Sequence, residues 1–412
     1  MFFKELLAIV LFLVMTCACA KDSFEIEIEY LIDEFIPHTV SNPRQESIAH
    51  GSYIISSDYE DSFYVAYYSG EHADIEFIYK TDINVKLTKI SKATLSNDLS
   101  CTVLDKGEKV GMFLQSTIDS PYDPCLLEFE DFIRVWMVVT PQNDYNFKSR
   151  SIGYRDVLKE GLTPVDSLTV CKIQYIINEV EYCDDISVSN LNLFADRIRG
   201  VSNHYVGGYP VFNGVKQING SLYTVLSFIS DKNNKSITPC ILRSDDGGAI
   251  WKFISNIPEK FDSSRFWEVG WDYDNEKLYI VSRSCDSLDS PCFTFDLKQF
   301  TWSEYAPLFN GDVDDSRPAI TLSNNNMFVL QNVYPRVADN RMRTRVRVAK
   351  TTHDFAMIHY VDIIADKGCS YFSLVNSGNK FYLLFTEDYR RIASGNKGDI
   401  ALANITSLIN KL

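Results

Sequence analysis

The sequence predicts an all-β fold in which small hairpin sheets are repeated around an axis, a six-bladed β-propeller. Short runs of aromatic and β-branched residues recur along the whole chain, and polar turn residues precede most of them. The chain has no Gly/Ser-rich linker, no low-complexity tract and no long helical periodicity. Six hairpin-like units of this kind favour radial repetition over a sandwich.

The strand-like runs are spread over the whole chain that follows the first twenty residues. In chain order they cover residues 62–68, 134–139, 221–226, 277–281, 327–330 and 380–385. Asn219-Gly220 precedes the third run, and Ser377-Gly378 lies just before the last. Periodicity alone leaves a propeller and a set of sandwiches nearly level, so a motif has to decide between them.

That motif is a turn between Ser244 and Trp251, which fits the pattern Ser-x-Asp-x-Gly-x-x-Trp. The Ser and Asp side chains can accept hydrogen bonds from turn N–H groups, Gly supplies an unusual φ, and Trp packs the turn onto its sheet. The pattern resembles the Asp box, a structural hairpin of sialidase propellers. Two degenerate copies, too weak to be interpreted alone, occur at Thr294-Phe295-Asp296 before Trp302 and at Thr352-His353-Asp354.

The first twenty residues predict secretion. Lys4 is followed by an apolar core over 6–15 and by the small-residue cleavage pattern Ala18-Cys19-Ala20. We therefore expect a signal peptide at 1–20, a propeller with a short tail at 21–412, and an extracellular or cell-surface location. An acylated lipoprotein is the alternative. No later apolar run reaches about 18 residues, so we expect no membrane span and no GPI signal.

Eight cysteines remain after cleavage, and an even number in an oxidising compartment favours disulfides. The pairs nearest in sequence are Cys171–Cys183 and Cys285–Cys292, although sequence cannot fix the connectivity. Three glycosylation sequons predict surface loops. They begin at Asn219, Asn234 and Asn404.

The net charge of −15 makes nucleic acid and anionic membranes poor partners, because the chain has no basic stripe to offset it. The simplest meaning of that charge is solubility. No Cys-x-x-Cys pair or His cluster indicates zinc, and we expect neither a metal nor a cofactor.

From about residue 207 to 408 the sequence is similar to the second half of a trypanosomal-type sialidase domain. Glu268 and Arg283 stand at that family's order and separation. The resemblance implies that Glu268 polarises a nucleophile and that Arg283 binds the carboxylate of the sugar. An Arg fork binds a carboxylate bidentately, and a tyrosine with a pKa near 10 needs a neighbouring base before it can attack.

Arg343 and Tyr371 continue the series. Arg343 matches the family's third carboxylate-binding arginine, and it opens an alternating run at 343–348. A slip of two residues would put Arg341 or Arg345 there instead, and an exposed basic edge strand is the simpler reading. Tyr371 stands where the family carries its nucleophilic tyrosine. A carboxylate nucleophile would repel the anionic sugar.

The first half departs from the family. Asp123, before a proline, resembles the aspartate that contacts the N-acyl group of the sugar. The expected first arginine is missing, and His50 stands in its place as a side chain mostly neutral at pH 7. Arg44 is a candidate for the missing guanidinium. Asp74, or Glu71, is the candidate acid/base, although a hydrophilic loop explains either residue equally well.

The resemblance implies a retaining exo-α-sialidase that acts on sialylated glycans and glycoproteins. Arg341 replaces a tryptophan that transferring enzymes stack on the acceptor sugar, which favours hydrolysis. Two alternatives stay open. The propeller could be a weak or inactive enzyme that serves as a sialoglycan-binding adhesin, or a secreted surface antigen that uses the fold only as a scaffold. Oligomeric state is not predicted.

Overall fold

The computed structural model describes residues 32–34, 48–70, 84–95, 101–103, 108–109, 122–139, 150–200, 206–230, 238–258, 261, 266–274, 276–284, 289–314, 316–323, 326–334, 343–364, 369–387 and 399–412. The predicted signal peptide lies outside them. So do several residues that the sequence singled out. They are Arg44, Glu71, Asp74, Asn234, Cys285 and Arg341.

The described strands of the first half are β1 (Ile32–Glu34), β2 (Ile48–Ser56), β3 (Ser62–Gly70), β4 (Asn84–Ser91), β5 (Cys101–Val103), β6 (Glu108–Lys109), β7 (Tyr122–Glu128), β8 (Phe132–Val139), β9 (Ser151–Leu158), β10 (Thr163–Val170), β11 (Lys172–Ile177) and β12 (Val180–Asp185). The helix α1 (Val188–Arg199) follows, and the 3₁₀ turns are Lys92–Leu95 and Glu160–Leu162.

The second half contributes β13 (Val206–Ile218), β14 (Ser221–Ser230), β15 (Cys240–Ser244), β16 (Ile250–Asn256), β17 (Phe266–Tyr273), β18 (Lys277–Ser284), β19 (Cys292–Asp296), β20 (Thr301–Tyr305), β21 (Ala319–Ser323), β22 (Asn326–Asn332), β23 (Arg345–Thr351), β24 (Met357–Ile364), β25 (Cys369–Ser377), β26 (Lys380–Glu387) and β27 (Asp399–Asn404). The short helix α2 (Thr406–Asn410) closes the chain. No described helix is long and apolar enough to cross a membrane.

These strands form six small sheets arranged in a ring, so the six-bladed β-propeller is confirmed. From the axis outward the blades are β2-β3-β4-β6, β7-β8-β9-β10, β13-β14-β15-β16, β17-β18-β19-β20, β21-β22-β23-β24 and β25-β26-β27-β5. The hairpin β11-β12 extends the third blade, and β1 pairs in parallel with β24 of the fifth. Apolar clusters fill the spaces between neighbouring blades, as where Trp136 of the second blade meets Trp251 of the third.

The innermost strands of neighbouring blades run in the same direction. Ser373 Oγ donates to Ser52 O at 3.2 Å early in β25 and β2, and Ser56 Oγ donates to Ser377 Oγ at 3.1 Å where both strands end. We call the end of the ring where the innermost strands begin the upper end, and the opposite end the lower end.

The turn from Ser244 to Trp251 joins β15 to β16 at the lower end and has the hydrogen bonds that its sequence predicts. Ser244 Oγ accepts from Gly248 N at 2.8 Å, and Asp246 Oδ1 accepts from Ile250 N at 3.1 Å. Trp251 is fully buried and donates to Gly248 O at 2.8 Å. The two degenerate copies occupy the equivalent turns of the next two blades, between β19 and β20 and between β23 and β24.

The predicted bridge between Cys171 and Cys183 is wrong, because both side chains are free thiols. Gln174, three residues after Cys171, is the residue that pairs with Cys183. The Cys171 thiol is buried and donates to Gly248 O at 3.5 Å, while Cys183 is exposed on the edge strand β12. Cys292 is also a free, buried thiol, and its proposed partner Cys285 lies outside the described residues.

The sequon at Asn404 does not lie on a surface loop as predicted. Asn404 is buried at the end of β27, and its Nδ2 donates to Leu95 O at 3.0 Å. A glycan on this nitrogen would replace that hydrogen bond and require the strand to leave the core. Asn219, by contrast, lies in the exposed turn between β13 and β14.

Candidate active site at the upper end

Five of the six innermost strands have a shift in register near their first residues, and three of the predicted site residues lie in these bulges. A bulge puts two residues opposite one and redirects a side chain that the pleat would otherwise alternate. The bulges of β2, β7, β17 and β25 contain, respectively, Gly51, Asp123, Glu268 and Tyr371. Three predicted site residues from three blades therefore lie at the same level of the ring.

The backbone at this end is strained. Asp123 has φ +45°, Tyr371 has φ +55° and Arg343 has φ +62°, in a region that favours glycine. The equivalent bulge of β2 carries Gly51, which reaches φ +58° without a Cβ penalty. Left-handed backbone at non-glycine residues costs roughly 1–3 kcal/mol each and clusters at functional sites.

Glu268 and Arg283 form a buried ion pair. The bulge in β17 puts Glu268 opposite Arg283 on β18, and Arg283 Nη1 donates to Glu268 Oε2. Glu268 is 0% exposed and Arg283 only 6%. Among the described residues, Glu268 Oε1 has no hydrogen-bond partner. The carboxylate therefore keeps one buried acceptor for a proton donor.

Arg343 lies beside Tyr371. Its guanidinium carbon is 5.5 Å from the centre of the Tyr371 ring. Asp314 fixes the arginine backbone by accepting from Arg343 N at 2.6 Å, and Arg343 O accepts from Cys369 N at 2.9 Å. That last bond ties the start of the fifth blade's third strand to the start of β25, two residues before Tyr371.

Arg345, the alternative to Arg343, forms an ion pair within its own blade instead. Arg345 and Arg347 both pair with Asp362 on β24, at 3.5 Å and 2.8 Å, within the fifth blade. Arg347 also stacks over Tyr360. Of the two described candidates in this run, Arg343 is therefore the one placed against Tyr371.

A second guanidinium, which sequence reasoning missed, also lies beside Tyr371. The Arg317 guanidinium carbon is 5.6 Å from the centre of the tyrosine ring, and Arg317 Nη2 donates to Ser52 O at 3.1 Å. Arg317 is 7% exposed and immediately precedes Pro318 and the innermost strand β21. The available signal was an arginine just before an apolar, proline-bounded strand, which matches no family motif.

Asp123 connects these groups electrostatically. Burial, followed by the charge of Glu268, raises the pKa of Asp123 to about 7, while Arg317 and Arg150 act in the opposite direction. An aspartate at this end of β7 can therefore carry a proton near neutral pH. In that state it can donate a hydrogen bond as well as accept one.

The remaining predicted residues are not all placed. His50 lies on β2 just before the bulge, but only its backbone is described. Asp74 and its alternative Glu71 lie outside the described residues. Within the described part of the chain, no group of three His, Cys, Asp or Glu side chains can hold a metal ion.

The arrangement is a cup of positive charge containing a phenol. Arg317 and Arg343 flank Tyr371, while Glu268, Arg283 and Asp123 stand on the facing blades at the same level. A cavity of about 70 Å³ is lined by Arg317 together with Tyr53, Lys216 and Trp271, whereas Glu268, Arg283, Arg343 and Tyr371 do not line it. Such a site can bind a carboxylate and can activate a tyrosine.

Comparison with solved structures identifies the same architecture. Sialidase from Trypanosoma rangeli, in complex with 2,3-difluorosialic acid as a covalent intermediate, matches 92% of this chain at 11% identity with a TM-score of 0.59. A Hadza microbial sialidase matches 88% of the chain, and the subtype N11 neuraminidase-like protein of A/flat-faced bat/Peru/033/2010 (H18N11) matches 89%, both at 11% identity with TM-scores of 0.56 and 0.52.

The chain spans 59% of the trypanosomal sialidase, 66% of the microbial enzyme and 91% of the subtype N11 protein. No family profile matches the sequence, and no curated protein does. The structural match, at 11% sequence identity, establishes the fold alone: the chain has a sialidase-like six-bladed propeller.

Proposed function

We propose that this protein is an exo-α-sialidase that removes terminal sialic acid from glycans and glycoproteins at the upper end of the ring. The observation that carries the proposal is that two guanidinium groups from the fifth blade lie within 5.6 Å of the Tyr371 ring, in a bulge with left-handed backbone. A phenol in that field has its anionic form stabilised, and a carboxylated sugar has cations to bind.

In the proposed reaction the Tyr371 oxygen attacks the anomeric carbon of the sialoside. Glu268 takes the phenolic proton through Oε1, which has no hydrogen-bond partner among the described residues, and the bond from the anomeric carbon to the leaving oxygen breaks. Asp74 protonates that oxygen, so the aglycone leaves as a neutral alcohol. Arg283 and Arg343 hold the sugar carboxylate, and Asp123 contacts the N-acyl group.

The second half of the reaction returns every residue to its starting protonation state. Asp74, now ionised, removes a proton from water as the water oxygen attacks the anomeric carbon. The bond to Tyr371 breaks, and the tyrosine regains its proton from Glu268. Two displacements at one carbon retain the anomeric configuration.

Turnover of a fluorogenic sialoside by the mature protein tests the proposal across acid to mildly basic pH. We expect release of the fluorophore by the wild-type protein and a loss of at least about 10³-fold in Tyr371→Phe. A folded wild-type protein with no turnover anywhere in that range would contradict the proposed activity.

A sialoglycan-binding protein without turnover is the second candidate. The observation in its favour is that Arg283 already pairs with Glu268, which weakens both the second carboxylate ligand and the base. A histidine where the family has an arginine points the same way. Equal glycan binding by the wild type and Tyr371→Phe, without turnover in either, would support this candidate over the enzyme. The same binding would exclude a scaffold antigen, because such a protein binds no sialoside.

The proposed location is extracellular. It is supported by the apolar run at 6–15 and the small residues Ala18 and Ala20, which together have the pattern of a cleaved signal. Expression of the full chain in a secretory host should yield a protein whose first residue is Lys21. A product that stays in the cell with its first twenty residues intact would contradict this assignment.

A further inference from the structure

We infer that Arg317 is a carboxylate-binding residue of this site, supplied by the fifth blade in place of the arginine missing from the first. The inference rests on the proposed sialoside site and adds a residue to it. It concerns which side chain recognises the acid group of the ligand, and it is independent of whether Tyr371 reacts.

Arg317 lies beside the first blade, from which the expected arginine is missing. Arg317 precedes the innermost strand of the fifth blade, yet its Nη2 donates to the carbonyl of Ser52, in the bulge of the first blade. The two residues are 265 positions apart in the chain. Ser52 is two residues from His50, so the guanidinium lies next to the point where the first-blade arginine was expected.

Two contacts limit the orientation of the Arg317 guanidinium. Ser52 O accepts from both Arg317 Nη2 and Ser373 Oγ, so one carbonyl is shared by three blades. The same guanidinium lies 5.6 Å from the Tyr371 ring. Because the guanidinium is planar, fixing one nitrogen and one stacking surface limits where its other N–H groups can point.

The charge of Arg317 also supports the assignment. Arg283 is paired with Glu268, and Arg345 and Arg347 are paired with Asp362. Within the described part of the chain, Arg317 forms no ion pair, although it is only 7% exposed. A buried cation that has a carbonyl as its hydrogen-bond acceptor but no ion pair among the described residues keeps part of its desolvation cost, and a bound anion would reduce that cost. Together with Arg343, whose guanidinium lies at a similar distance from the same ring, it forms a two-cation seat.

Binding of two matched ligands tests the assignment by calorimetry. One is the α-methyl glycoside of N-acetylneuraminic acid, and the other is the same glycoside with its C1 carboxylate converted to the amide. We expect the wild type to prefer the acid, and Arg317→Gln to lose about 10- to 100-fold in affinity for the acid while its affinity for the amide stays within about twofold.

Two further variants make the result specific. Arg317→Lys keeps the charge and loses the fork, so its preference for the acid should fall between those of the wild type and Arg317→Gln. It also serves if Arg317→Gln does not fold. Arg243→Gln removes an exposed arginine of the lower end, which pairs with Asp245, and should leave both affinities unchanged.

The outcomes separate the two proposals. Full retention of the acid preference in Arg317→Gln and Arg317→Lys would overturn the role of Arg317 and leave the sialoside site standing. A wild-type protein that binds neither ligand at millimolar concentration would overturn the site itself, and the role of Arg317 with it.

Discussion

The two ends of the ring shift the pKa values of their aspartates in opposite directions. At the upper end, Asp123 is buried near another carboxylate, and its pKa rises to about 7. At the lower end, Asp245 is exposed, and hydrogen bonds from Ser221 and Lys252 lower its pKa to about 2. The carboxyl group of Asp123 therefore lies in an environment that disfavours its charge, whereas Asp245 has partners that stabilise its charge. A buried group with a shifted pKa is typical of functional sites, and this difference supports the site proposed at the upper end.

The largest expected effect is at the upper end, on catalysis. Glu268→Gln removes the proposed base, so kcat for a fluorogenic sialoside should fall by about 10²–10⁴-fold. Glu276→Gln is the matched control at the lower end of the same blade, where Glu276 is exposed and pairs with Lys298. Its kcat should equal that of the wild type. Equal loss in both folded variants would contradict the division between the two ends.

Asp123→Asn should change the pH dependence of stability. The pKa of Asp123 rises from 3.8 to about 7 on folding, so between those pH values the unfolded chain binds fewer protons. Stability contributed by this group is present below about pH 4 and is lost as the pH rises through about 7. Relative to Asp123→Asn, the wild type should therefore lose up to about 4 kcal/mol over that window.

Urea unfolding of both proteins at several pH values measures this difference. Asp245→Asn provides the control of opposite sign, because the lowered pKa of Asp245 means that its stabilisation is lost only as the pH falls toward about 2. Wild-type and Asp123→Asn curves that run parallel between pH 4 and 7 would show that Asp123 is ionised normally.

Gly248→Ala tests packing at the lower end. A Cβ on Gly248 would lie 2.6 Å from Trp136 Cζ2, and the residue has φ +100°. Overpacking together with left-handed strain should cost about 3 kcal/mol of unfolding free energy. Gly220→Ala, at φ +84° with nothing within 4 Å, isolates the backbone contribution and should cost about 1 kcal/mol. Equal losses would mean that the contact with Trp136 is not close.

Asp246→Ala tests the hydrogen bonds of the same turn and should have the smallest effect. Asp246 accepts from Ser244 Oγ at 2.6 Å and from two turn N–H groups, so its loss should cost about 1–2 kcal/mol. Asp245→Ala, next in the chain, removes exposed ion pairs with Arg243 and Lys252 and a hydrogen bond from Ser221, and should cost less than about 1 kcal/mol. Thermal or urea unfolding of the pair decides this, and reversed ranks would contradict the structural role of Asp246.

The sequence was most informative at the lower end because its interactions there are local. All the partners in the turn from Ser244 to Trp251 lie within eight residues, so the pattern alone predicts the bonds that form. The six hairpins were equally readable, since the inner strands of each blade are consecutive in the chain. The register of Gln174 opposite Cys183, which separates the two cysteines, could not be read from their spacing.

The upper end was only partly predictable because its contacts join distant segments. The order of Glu268, Arg283, Arg343 and Tyr371 was visible only through the family resemblance, and their assembly depends on bulges that no local pattern marks. Arg317 reaches across the axis to Ser52, which no spacing rule anticipates. Burial of Asn404 likewise depends on its contact with Leu95, far away in the chain.

The central claim is that Tyr371 forms a bond to the sugar. Incubation of the mature protein with 2,3-difluorosialic acid, followed by digestion and mass spectrometry, measures that bond directly. We predict a single sialyl adduct on the peptide that contains Tyr371, and none in Tyr371→Phe. Turnover of a sialoside without any adduct on Tyr371, or an adduct on another residue, would contradict the account.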